Sequence, residues 1–97
     1  MGTQKIDVMV IAPLPPGLLT ELEDAFTIHN WWLSEDKEAL HKRVSAKIRG
    51  VVTRSHLGID AAMLKSLPAL EIVSIFGVGL DATDVAAAHE QGVIVTH

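Results

Sequence analysis

The sequence predicts an α/β fold, a flavodoxin-like five-stranded parallel sheet in the order 2-1-3-4-5 with helices on both faces. Three observations carry this expectation. Apolar runs alternate with amphipathic stretches at a spacing of about 20 residues, the pattern of repeated βαβ units. The runs at 6–12 and 70–76 are apolar almost without interruption, as strands covered on both faces are. Five such strands joined by right-handed crossovers have one common arrangement at this size, the order 2-1-3-4-5.

The elements follow in turn. The first strand is expected over residues 6–12, and Pro13, Pro15 and Pro16 stop it. Leu18, Leu19, Leu22, Ala25 and Phe26 recur at helical spacing, with Thr20, Glu21, Glu23 and Asp24 on the other side, which makes helix one. A short second strand covers 26–32, where Trp31 and Trp32 read as packing residues. Ser34 is the expected N-cap of the next helix, with Glu35 and Asp36 in its first turn and Leu40, Val44 and Ile48 as its buried stripe. Lys42, Arg43, Lys47 and Arg49 gather toward its end, on a solvated face favoured by the helix dipole.

Residues 50–53 make strand three, and Asp60 caps a short helix through Leu64 and Leu67 that Pro68 ends. Residues 70–76 make strand four, with Glu71 as the single charge. A longer helix is expected over 81–91, with Asp81 and Asp84 spaced as a capping box and Gly92 as its terminating glycine. Residues 93–96 make strand five, and nothing follows to cover it, so the fold reads as incomplete.

Composition narrows the function. The 97 residues suffice for one small domain, and 48% hydrophobic residues with 21% charged are unlike a disordered segment. A formal charge of -4 gives no electrostatic reason to expect nucleic acid or an anionic membrane as partner. The absence of cysteine removes disulfides, thiolate metal sites and a thiol nucleophile, and permits a cytoplasmic location. The opening apolar run is too short for a spanning helix or a secretory leader. His29, His41, His89 and His97 show no metal-ligand spacing, and His56 reads as a surface loop residue.

In open α/β sheets ligands bind outside the carboxyl ends of the strands, which directs attention to residues 12–17, 53–58 and 76–82. Gly77-Val78-Gly79 follows strand four and precedes the helix expected near Asp81, so its unhindered N–H groups form a nest suited to a carboxylate or phosphate. Residues 77–82 also satisfy G-x-G-x-x-A, the permissive dinucleotide fingerprint. That reading is the weaker one, because the motif follows the fourth strand and the next strand ends in Thr96 and His97 rather than an acid. A purely structural glycine turn is the third reading. Arg54 and Ser55, at the end of strand three, can face the same cleft, the guanidinium offering forked donors to a carboxylate. A solvated loop is the simpler alternative for them.

Residues 67–81, continuing through Ala86-Ala87-Ala88 and Gly92-Val93-Ile94-Val95-Thr96, resemble the substrate domain of D-isomer-specific 2-hydroxyacid dehydrogenases, closest to the glyoxylate/hydroxypyruvate and hydroxyphenylpyruvate reductase branch. The opening Met9-Val10-Ile11-Ala12-Pro13-Leu14-Pro15 and the loop Val51-Val52-Thr53-Arg54-Ser55-His56-Leu57-Gly58 are similar to it too, so the resemblance covers nearly the whole chain.

The resemblance implies that residues 1–97 form the amino-terminal substrate-binding (catalytic) domain of a two-domain oxidoreductase, with the cofactor domain absent. It implies reduction of a 2-oxo acid to the D-2-hydroxy acid by NADH or NADPH. The amides of Val78 and Gly79, with Gly77 in the same turn, would hold the substrate carboxylate, and Ser55 and Phe76, with Arg54 beside them, would line the pocket. The family's catalytic His, Glu and Arg lie beyond position 97, so this chain alone is expected to bind no NAD or NADP and to be inactive. A missing returning helix should leave an apolar patch near strands one and five, favouring a homodimer. Two other classes compete with this reading. A phosphoacceptor receiver shares the strand order but needs acids where Ala12, Pro13 and Arg54 stand. A stand-alone flavodoxin-like small-molecule or protein-binding module without catalysis is the main alternative.

Overall fold

The computed structural model describes residues 5–77 and 79–97. Five parallel strands, β1 (Asp7–Val10), β2 (Thr27–Asn30), β3 (Ile48–Arg54), β4 (Ile72–Phe76) and β5 (Ile94–Thr96), form one sheet in the order β2-β1-β3-β4-β5. The expected architecture is therefore observed. Four α-helices connect the strands: α1 (Pro16–Ala25), α2 (Lys37–Val44), α3 (Ala61–Lys65) and α4 (Val85–Glu90).

Strand order and crossover hand together decide where the helices lie. The step from β1 to β2 runs one way across the sheet, while β2 to β3, β3 to β4 and β4 to β5 run the other way. Right-handed crossovers then put one helix on one face and three on the opposite face. Residues of alternate parity record the division. Met9, Val51, Val73 and Ile75 point to the three-helix side, where they are buried with Leu40 and Val44 of α2, Leu64 of α3 and Ala88 of α4. This is the core of the domain.

The other face carries α1 alone. Its Leu22, and Phe26 just after it, line with Val8, Gly50, Val52 and Ile72 a groove of about 310 Å³. Gly50 leaves room there, because a Cβ would only graze Val8 at 3.4 Å and Ile72 at 3.7 Å. Ile72 stays 40% exposed and its Cα partner Ile94 62% exposed. The expected patch near strands one and five is thus half right. Strand one is covered, Val8 and Val10 being buried, and the open apolar area lies on β4 and β5. Arg49, bypassed by a register shift where Asp7 pairs with Ile48 and Val8 with Gly50, donates from Nε to Glu71 at the lip of the groove. That hydrogen bond and the guanidinium charge hold the Glu71 carboxyl below its ordinary range.

Three boundaries differ from expectation for identifiable reasons. Trp31–Leu33 forms a 3-10 turn in which Ser34 N bonds Trp31 O, so Ser34 is extended and Asp36 becomes the cap, accepting from Ala39 N at 3.0 Å. Ile48 leaves the α2 stripe and enters β3, where it is fully buried. The last helix starts at Val85 rather than near Asp81, capped by Asp84, which accepts from Ala87 N at 3.0 Å. Its far end agrees with expectation, since Gly92 N reaches His89 O and Val93 N reaches Ala88 O, the paired bonds of a Schellman ending.

Candidate functional site

Parallel strands put the loops after β1, β3 and β4 on one rim. Arg54 is the Cα partner of Phe76, so both strands end at the same level, and Ser55 N donates to Phe76 O at 3.0 Å just beyond the last pair. On the other side Ile11 N donates to Val52 O at 3.0 Å, and Arg54 Nη1 reaches Pro13 O at 3.4 Å. The exposed guanidinium thereby bridges from the end of β3 to the loop after β1.

The turn after β4 is shaped around Ser55. Gly77 has φ +125°, outside the range that side-chain-bearing residues favour, and a Cβ on it would overlap the Ser55 hydroxyl and stand 3.0 Å from Ser55 Cβ. A Cβ at Gly79 would meet Ser55 Cβ at 3.9 Å. Ser55 therefore sits over both glycines. Phe76 is 42% exposed on the lightly covered face, at the end of the row Ile72, Ser74, Phe76.

Of the six residues singled out in the sequence, the structure brings together Arg54, Ser55, Phe76, Gly77 and Gly79; Val78 lies outside the described residues. The cluster offers one cation, one hydroxyl, an aromatic wall and glycine backbone, a set suited to a small carboxylate. One expected contributor is missing. Residues 81–84 are a turn, with Thr83 N on Leu80 O, and the helix beyond has only six residues, so no helix dipole stands directly behind the nest. The same finding weakens the dinucleotide reading. A pyrophosphate site needs the glycine turn to run straight into a helix N-terminus, with an acid after the next strand. Here residues 81–84 intervene as a turn before α4, so the glycine turn lacks the direct run into a helix that a dinucleotide pyrophosphate uses.

Two further residues of the rim have roles that residue type alone does not mark. Thr53, fully buried in the row that includes Val51, donates from Oγ1 to Gly58 O at 3.0 Å. Gly58 has φ +56° and lies against the backbone of Ala82. The available signal is a hydroxyl at a core-facing strand position five residues before a loop glycine.

Elsewhere two histidines have structural partners. His29 Nε2 pairs with Asp7 at 2.7 Å, and His41 Nε2 with Ser66 Oγ at 2.8 Å, while Trp31 packs edge-on to His41 and His56 is exposed. Among the described residues no three His, Asp or Glu side chains cluster to hold a metal, and no helix is long and apolar enough to cross a membrane.

The sequence pattern of the D-isomer specific 2-hydroxyacid dehydrogenase catalytic domain matches residues 8–97. The chain belongs to this family. It is 38% identical over 94 residues to glyoxylate/hydroxypyruvate reductase A of Arabidopsis thaliana, covering 97% of this chain and 30% of that protein. It is 36% identical over 94 residues to hydroxyphenylpyruvate reductase of Plectranthus scutellarioides, with the same coverage. A 2-hydroxyacid dehydrogenase structure from Ketogulonicigenium vulgare Y25 superposes with a TM-score of 0.90 at 34% identity, covering 96% of this chain and 29% of that one. The chain thus spans about 30% of the length of these dehydrogenases.

Proposed function

We propose that residues 1–97 are the substrate-binding domain of an NAD(P)-dependent oxidoreductase that reduces a 2-oxo acid of the glyoxylate/hydroxypyruvate type to the D-2-hydroxy acid. The observation that carries the reading is the packing of Ser55 over Gly77 and Gly79 beside Arg54 on the carboxyl rim of the sheet. In this reading the amides of Val78 and Gly79 hold the substrate carboxylate, Arg54 compensates its charge, and Ser55 and Phe76 form the wall. A nicotinamide cofactor, when bound by residues other than these, supplies the hydride. The task of the 97 residues is to bind and orient the 2-oxo acid, and a cytoplasmic location accords with the cysteine-free sequence.

Oxalate, a planar two-carbon dianion, tests the reading without cofactor. Titrated into the chain, it should shift the amide resonances of Gly79 and Ser55 selectively. Binding should be weak, with dissociation constants in the millimolar range or above, which is about 4 kcal/mol or less. Shifts no larger than those given by equal chloride, or spread evenly over the sheet, would reject the carboxylate site and favour a binding module of another kind.

The open face of β4 and β5 supports a further reading, that two copies of the 97-residue chain associate about a twofold axis. A twofold contact is self-complementary. Arg49 and Glu71, side by side at the lip of the apolar groove, suit it because each can face its opposite across the axis. Sedimentation at micromolar concentration should show a concentration-dependent dimer that Ile94→Asp dissociates. A monomer at every concentration would reject this association.

A further inference from the structure

The loop after β4 is anchored at both ends to the loop after β3, and the far anchor depends on a buried hydroxyl. At the near end, Ser55 N holds Phe76 O. At the far end Gly58 lies so close to Ala82 that a Cβ would overlap the Ala82 carbonyl and stand 2.7 Å from Thr83 N, and Asp84 N donates to Ile59 O at 3.0 Å. The glycine turn that includes Gly77 and Gly79 is the span between these anchors.

What keeps Gly58 in place is a closed turn. Arg54 O accepts from both Leu57 N, at 3.0 Å, and Gly58 N, at 2.8 Å. Thr53 Oγ1, fully buried, donates to Gly58 O at 3.0 Å and ties the end of the turn back to its start. The Thr53 hydroxyl bonds Gly58 O rather than any of Arg54, Ser55, Phe76, Gly77 or Gly79. Valine would fill its volume equally well, yet a hydroxyl stands at this core position and is spent on the carbonyl of the residue that meets Ala82.

We infer that Thr53 is a positioning residue for the carboxylate nest, acting through Gly58 and Ala82 to hold the loop after β4 in its binding shape. The inference rests on the proposed carboxylate site. Without the hydroxyl, Gly58 O is left buried and unpaired, the turn over 54–58 loosens, and the far anchor moves with it. A nest that must then be ordered by its ligand binds that ligand more weakly.

The test uses oxalate with Thr53→Val, which keeps the shape and deletes the hydroxyl, and Thr53→Ser, which keeps the hydroxyl and deletes a buried methyl. Thr53→Val should weaken oxalate by about fivefold or more, whereas Thr53→Ser should stay within about twofold of the original, even though it too melts earlier. A merely structural role would make affinity follow the melting temperature in both variants, and that result overturns the inference while leaving the carboxylate site intact. No selective shift in the unsubstituted protein would remove the site and the inference together. A measurement on the unsubstituted chain does not depend on the variants folding. Saturating oxalate should slow hydrogen exchange at the amides of Leu57 and Gly58 and leave Ile94, bonded to Glu71 O on the far side of β4, unchanged. Unaltered exchange at Gly58 on saturation would overturn the coupling.

Discussion

Gly58→Ala is expected to destabilise the domain by about 3 kcal/mol. Two costs add. At φ +56° an L-residue with a Cβ gives up about 1–2 kcal/mol relative to glycine. The new methyl would also overlap the Ala82 carbonyl, which is backbone and cannot rotate away. Relief requires moving residues 80–84 outward, and the Asp84 N to Ile59 O bond is the first to lengthen, at a cost of about 1–3 kcal/mol for groups left unpaired. For a domain of this size about 3 kcal/mol lowers the melting temperature by at least about 12 °C. Gly17→Ala is the control. It lies in α1 with nothing within 4 Å of an added Cβ, so alanine there should gain about 0.5–1 kcal/mol from helix propensity. Equal melting temperatures for the two variants would mean that Gly58 is not in close contact with Ala82.

The sheet was legible because its signals are local. Parallel strands buried on both faces read as apolar runs, the prolines after β1 and Pro68 punctuate them, and crossover hand then leaves few orders open. What escaped depends on contacts distant in sequence. Asp81 and Asp84 both suit a helix N-terminus, and the choice falls to Asp84 because Ala82 is pressed against Gly58 and Asp84 N is bonded to Ile59 O, which holds 80–84 in a turn. Ser34 is the local exception, displaced by Asp36 because the 3-10 turn at Trp31–Leu33 leaves Ser34 extended. Ile72 and Ile94 look as buried as Val73 and Val95 in the sequence, and only the unequal division of helices between the two faces separates them.

The candidate site divides along the same line. Arg54, Ser55, Phe76 and the two glycines announce themselves by residue type at strand ends, where open sheets bind ligands. Thr53 and Gly58 do not, because a threonine in a β-strand and a glycine in a loop are ordinary residues until the carbonyl and backbone they meet are known. Their role is written in the path of the chain rather than in their chemistry.

Gly77→Ala should abolish the oxalate response at Gly79 and Ser55 and cost about 2 kcal/mol of stability. The backbone at φ +125° disfavours any side chain, and the added Cβ would overlap the Ser55 hydroxyl. Here the obstacle is a short side chain rather than a carbonyl, so part of the strain is relieved when Ser55 rotates to another rotamer at about 1 kcal/mol. That rotation takes the hydroxyl away from the nest, which is why binding should suffer more than stability. A double-mutant cycle separates the two contributions. Ser55→Ala removes the hydroxyl but keeps a Cβ 3.0 Å from the new methyl, so the pair Gly77→Ala and Ser55→Ala should be less destabilised than the sum of the singles by about 1 kcal/mol. Binding should not recover in the pair, since the backbone strain at position 77 remains. Strict additivity would show that Ser55 does not press on Gly77, and undiminished oxalate shifts in Gly77→Ala would show that the turn after β4 is not where the carboxylate sits.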